Sequence, residues 1–115
     1  LYLSRVTKLF ENVQAGDREA VFSAIGLIEL FTGMKRRGRH DLVFYYRTLL
    51  QDFPHLTIQG LNEEIVDCAS DLRAVYGIAT PDAIHIATAI AFGADAFVTN
   101  HKRLQKVKEV AIRLL

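Results

Sequence analysis

"TPDAIHIATAIAFGADAFVTNHKRL" (residues 80–104) contains a helix, its stop and a strand in succession, and it decides how the rest of the chain is read. Thr80 is expected to cap the helix, with Pro81 at its first position, where a missing N–H costs nothing. Ala83, Ile84, Ile86, Ala87, Ala89, Ile90 and Ala91 cover nearly every side, so this helix is expected to lie centrally. Gly93 stops it. "DAFVT" (95–99) then reads as a buried strand, and a short basic helix is expected over 101–106. Asp82 alone disagrees with the apolar character of the first turns. The macrodipole stabilises an acid there by about 0.3–1 kcal/mol with no further purpose. A crowded helix start would instead desolvate the carboxylate, which then needs a partner or a metal. The spacing leaves both readings open.

Upstream, strands and helices alternate. Leu3, Val6, Leu9, Phe10 and Val13 predict a helix over 1–15 that stops at Gly16. "AVFSAI" (20–25) predicts a mostly buried strand, followed by helices through about residue 37 and over 40–53, the second halted by Pro54. "LTI" (56–58) is a short strand. Asn62 caps a helix that runs to Tyr76 and stops at Gly77, with Glu63 and Glu64 in its first turn. "VAIRLL" (110–115) is expected to form the last strand. Such alternation predicts a parallel sheet covered by helices on both faces, with ligands at the carboxyl ends of the strands.

Composition limits the function classes. The 115 residues suit one domain; half are hydrophobic and 23% charged, enough for a packed core. Fourteen Lys and Arg against 13 Asp and Glu exclude a polycation, so any anion-binding surface must come from local clusters. With Cys68 as its one cysteine the chain forms no internal disulfide, and a cytoplasmic location is expected. No apolar stretch reaches the roughly 18 residues of a membrane span, and the early Arg5, Lys8 and Glu11 do not suit a secretory signal.

Three spots carry chemistry. Glu29 lies among Leu27, Ile28, Leu30 and Phe31, where an acid either faces solvent or must find a cleft or a cation. Asp82 is the second, with His85 three residues on and on the same helix face; a lone histidine on an apolar helix is more often packed than ligating. "TNHKR" (99–103) is the third. Two basic clusters accompany the acids: "KRRGRH" (35–40), and Lys102, Arg103, Lys106 and Lys108. Cations at a helix end complement its dipole, and they also suit a phosphate backbone. His40 and His55 carry no signal, and Cys68 reads as a small core residue. The aromatic run "FYY" (44–46) reads either as core or as a dimer face.

The segment 80–104 resembles the C-terminal half of PIN-domain proteins, small metal-dependent ribonucleases that include toxins of the VapC kind. "FSAIGLIELFTG" (22–33) is similar to the family's second motif, an apolar strand leading into a helix with one glutamate. The resemblance runs over the whole chain as a single PIN-like domain, 1–115. It implies a three-layer α/β/α fold with a parallel central sheet, lacking its first strand in this chain. It also implies an acid cluster at the sheet edge binding Mg²⁺ or Mn²⁺, with Glu29 as the second acid and Asp82 as the third. Two departures accompany it. The family's first acid belongs to an opening strand that this chain begins beyond, and His101, beside Asn100, stands where the fourth acid usually follows "TN".

What the resemblance implies chemically is cleavage of single-stranded RNA by a metal-activated water. Glu29 and Asp82 would be metal ligands, Asn100 and His101 would position water or substrate, and Lys35, Arg36, Arg37, Lys102 and Arg103 would hold RNA. A cognate antitoxin and a homodimer are the implied partners. Two other readings stand beside it: a PIN-fold binding or assembly module impaired in catalysis, and an unrelated flavodoxin-like α/β binding domain.

Overall fold

The fold is built by turning the chain at a few capped helix ends. A computed structural model describes residues 2–115, with side chains from residue 4 onward; Leu1, the expected helix start, and the side chain of Leu3 lie outside them. Helix α1 spans Tyr2–Ala15 and strand β1 Ala20–Ser23. Helices α2 (Ala24–Arg36) and α3 (His40–Gln51) follow, then β2 (Leu56–Gln59), α4 (Glu63–Tyr76) and α5 (Thr80–Phe92). Strand β3 (Ala96–Thr99), a 3₁₀ segment (Lys102–Lys106) and β4 (Ala111–Leu114) complete the order.

Local chemistry sets the boundaries. The backbone N–H of Ile25 donates to Ser23 Oγ at 3.2 Å, so Ser23 turns the chain into α2 and the strand expected over 20–25 ends two residues early. Apolar Ala24 and Ile25 thereby belong to the helix. In α4 the Ile65 N–H donates to Asn62 Oδ1 at 2.8 Å, and Gly77 closes the helix at φ +67°, a conformation that favours glycine. Helix α5 starts differently from expectation. The Ala83 N–H bonds the Ala79 carbonyl at 3.0 Å, so Ala79 is the cap residue and Thr80 already the first helical one. Asp82 is therefore third in the helix, still within the first turn.

Among the described residues the strands form two parallel sheets of two strands each. β1 pairs with β2 from Ala20↔Leu56 to Ser23↔Gln59, and β3 pairs with β4 from Ala96↔Ala111 to Thr99↔Leu114. The α/β class stands, with the parallel sheet in two halves among the described residues and α5 packed against strands of both, β1 and β3. The core lies between α4 and α5, where Ile65, Leu72, Ala83, Ile86 and Ala87 meet Ile78, Leu104, Val107 and Val110. Ile86 is fully enclosed, in keeping with a helix apolar on nearly every side. The Tyr76 hydroxyl ties the end of α4 to the approach to β4. It donates to Glu109 Oε1 at 2.5 Å and accepts from the Lys108 N–H at 3.1 Å.

The aromatic run on α3 lies mostly outside the core, with Tyr46 half-buried. Phe44 and Tyr45 are exposed and, with Thr48 and Leu49, line a shallow apolar hollow. Among the described residues no helix is long and apolar enough to cross a membrane.

Candidate active site

Two helix starts and one strand end converge here. Ser23 launches α2 from the carboxyl end of β1, which puts Glu29 in the second turn of that helix. Asp82 sits in the first turn of α5, and His101 and Arg103 follow the carboxyl end of β3.

The two acids are placed through their partners. Glu29 Oε1 lies 2.8 Å from His85 Nε2, although the two residues are 56 positions apart in the chain. His85 shares the face of α5 with Asp82, three residues earlier, so the partner of Glu29 lies about one helical turn from Asp82. Asp82 is itself engaged: Arg103 Nη2 donates to its Oδ2 at 3.2 Å, and His101 Nδ1 stands 3.7 Å from its Oδ1. The Asp82 side chain keeps 12% of its exposure against 55% for Glu29. A carboxylate so covered needs compensation, and Arg103 supplies it.

The remaining expected site residues divide by position. Asn100 and His101 are exposed at the end of β3, and the His101 backbone N–H donates to Thr99 Oγ1 at 3.1 Å, which shapes the turn. Lys102 and Arg103 are both exposed, and Arg103 contacts Asp82. Lys35 and Arg36 close α2, with Arg37 just beyond, six to eight residues past Glu29 and hence about 9–12 Å further along that direction. Arg39 is drawn off from that cluster. Its Nε and Nη2 fork onto Asp41 at 3.1 and 2.9 Å, which raises the guanidinium pKa and lowers that of the Asp41 carboxyl, chiefly through the hydrogen bonds. Cys68 lies away from the acids, and its thiol pKa is pushed up by burial first and by nearby Asp71, Glu109 and Glu64.

His85 is the residue that sequence reasoning undervalued. The one available signal was its i, i+3 relation to Asp82, and the structure adds that the imidazole bonds the other acid. Could this set of side chains hold a divalent ion? Mg²⁺ asks for one or two carboxylates and fills its shell with water and substrate phosphate. Glu29 and Asp82 meet that minimum, although among the described residues no group of three or more His, Cys, Asp or Glu is arranged around a common point. The donors on offer are two carboxylates, each already carrying an internal partner.

A PIN domain family model matches residues 4–110. The chain belongs to the PIN domain family. Two solved structures share its fold. One is a toxin–antitoxin complex from Klebsiella pneumoniae, 24% identical, with TM-score 0.63, covering 77% of this chain and 69% of that one. The other is VapBC2 from Rickettsia felis bound to a DNA fragment from their promoter, 19% identical, with TM-score 0.72, covering 98% of this chain and 83% of that one. No curated protein matches. Membership of the family removes the flavodoxin-like alternative.

Proposed function

We propose that this PIN domain is a metal-dependent endoribonuclease acting on single-stranded RNA in the cytoplasm, as the toxin of a type II toxin–antitoxin pair. The observation that supports the reading is the contact of Glu29 on α2 with His85, which lies on the face of α5 that carries Asp82. The two structures that share the fold are both toxin–antitoxin complexes, which supports a small antitoxin as partner. The exposed apolar strip of Phe44, Tyr45 and Leu49 on α3 would suit a homodimer face.

Glu29 and Asp82 would hold Mg²⁺ or Mn²⁺. Bound there, the ion would supply an acidified water and a counter-charge for the phosphorane-like transition state. The protein's own side chains do the rest. Asn100 and His101, exposed at the rim, orient water and the scissile phosphate. Lys102 and Arg103 grip the RNA backbone beside the acids, while Lys35, Arg36 and Arg37 extend the grip along α2. Such contacts bind strongly and discriminate little between sequences.

The test is cleavage of single-stranded RNA by the full-length protein with Mg²⁺ or Mn²⁺. Asp82→Asn and Glu29→Gln should each lower the rate by at least two orders of magnitude while leaving the fold intact, as read by circular dichroism. A specific observation keeps a second reading, the catalytically impaired binding or assembly module: each acid already has an internal cationic or imidazole partner. If the wild-type protein is as inert as Asp82→Asn with both metals and several RNAs, the module reading replaces the nuclease.

A further inference from the structure

The groups that cover the two acids belong to the chain itself, and Arg103 stands apart from the histidines among them. Its guanidinium carries only N–H donors, five of them in a planar fork. It meets Asp82 through one N–H at 3.2 Å, whereas Arg39 forks onto Asp41 with two. The Arg103 side chain is 68% exposed although the carboxylate it touches is 12% exposed. The neighbouring Leu104 is sealed in the core at 1% exposure and pins the 3₁₀ segment. The backbone at Arg103 is thus anchored beside a core residue, while most of its long side chain faces solvent.

We propose that Arg103 is an exchangeable counterion. In the ion-free protein it occupies Asp82 Oδ2, and when a divalent ion takes that carboxylate the guanidinium turns to a phosphate of the RNA. The inference rests on the nuclease reading and identifies the residue that regulates entry to its site. The geometry favours exchange over a permanent clamp. A metal ion needs the lone pairs that Arg103 now uses, and a single-pronged contact from a mostly exposed arginine is more readily replaced than a two-pronged one. The freed guanidinium would sit between Lys102 and Lys106, in a run already suited to phosphates, and its planar fork matches a phosphate better than a lysine does.

Calorimetric titration of Mn²⁺ into the full-length protein without RNA provides the first readout. Arg103→Ala should tighten Mn²⁺ binding by roughly two- to five-fold, the range a weak single-contact ion pair allows. Arg103→Lys should stay near wild type, because the competing charge remains. RNA affinity measured with Mn²⁺ present should move the opposite way, weakening in Arg103→Ala and losing about one phosphate contact from its salt dependence. An unchanged circular dichroism spectrum and a cooperative thermal transition, at a midpoint lowered by the lost partner of Asp82, confirm that Arg103→Ala keeps the fold. If Asp82→Asn abolishes Mn²⁺ uptake but Arg103→Ala leaves it unchanged or weaker, the counterion proposal is overturned and the nuclease reading stands. Tighter Mn²⁺ binding with unaltered RNA affinity overturns the transfer to phosphate. If wild type and Arg103→Ala both fail to take up Mn²⁺, the metal reading and this proposal fall together.

Discussion

Replacing Gly26 by alanine sets two effects of known sign against each other. In a helix interior, Gly→Ala normally stabilises by about 0.5–1 kcal/mol, because alanine loses less backbone entropy. Gly26 is buried in the first turn of α2, and a Cβ there would meet the Phe22 ring at 2.7 Å from Cζ and 2.9 Å from Cε2. Relaxed carbon contacts lie near 3.5–4.0 Å, so the deficit approaches 1 Å. Phe22 sits on β1 opposite Ile58 of β2, so its ring must rotate off the sheet or α2 must lift. Overpacking of that kind costs about 1–3 kcal/mol. The clash therefore wins, and Gly26→Ala should destabilise by about 1–2 kcal/mol, read as a lower urea midpoint at unchanged slope. Phe22→Leu removes the obstructing ring. In that background Gly26→Ala should be neutral or stabilising by up to about 1 kcal/mol, giving a coupling energy above 1 kcal/mol in a double-mutant cycle. A single Gly26→Ala variant as stable as wild type, or a cycle without coupling, would refute the argument that β1 and α2 are set at their closest approach by this glycine. Glu29 lies three residues on, so a lifted α2 should also weaken its contact with His85.

Two further outcomes test the frame. The Tyr76 hydroxyl is held protonated by its hydrogen bond to Glu109, which raises its pKa above the ordinary 10.0. A raised folded pKa means that this contribution is complete below about pH 10 and is lost as pH climbs through the folded value. The thermal midpoint should therefore fall more steeply above about pH 10 in wild type than in Tyr76→Phe, and parallel curves would count against the latch. Ile86→Ala empties a fully enclosed position at the centre of α5 and should cost about 3 kcal/mol in urea unfolding. Ile28→Ala, at a position 61% exposed, should stay within about 0.5 kcal/mol.

What could be read from the sequence was local. Asn62, Gly77 and Gly93 act within one turn of themselves, so the limits of α4 and the end of α5 followed from residue type alone. The end of β1 did not, because Ala24 and Ile25 continue an apolar run and the hydroxyl of Ser23 decides the boundary. The start of α5 slipped by one residue for a similar reason. Thr80 has the side chain of a good cap, but the first helical hydrogen bond goes to the carbonyl of Ala79, which has no side chain to announce it. The paired state of the acids was beyond reach altogether. A sequence supplies two carboxylates, two histidines and an arginine, and only the packing of α2, α5 and the 3₁₀ segment determines which cation meets which acid.

That pairing changes what metal binding would mean here. A cluster of bare carboxylates repels itself and depends on its ion, so removing the ion strains the fold. In this chain Glu29 is met by His85, and Asp82 by Arg103 with His101 nearby. Among the described residues no buried side-chain polar atom lacks a hydrogen-bond partner. An incoming ion would therefore exchange with the partners these two acids already have. Exchange lowers intrinsic affinity, because the ion gains only the difference between its own attraction and that of the groups it displaces. RNA alters that difference, since its phosphates offer new partners to a displaced guanidinium and extra ligands to the ion at once. Nuclease and binding module are then two outcomes of one balance: whether ion and phosphate together outbid three side chains that the fold has already placed against its acids.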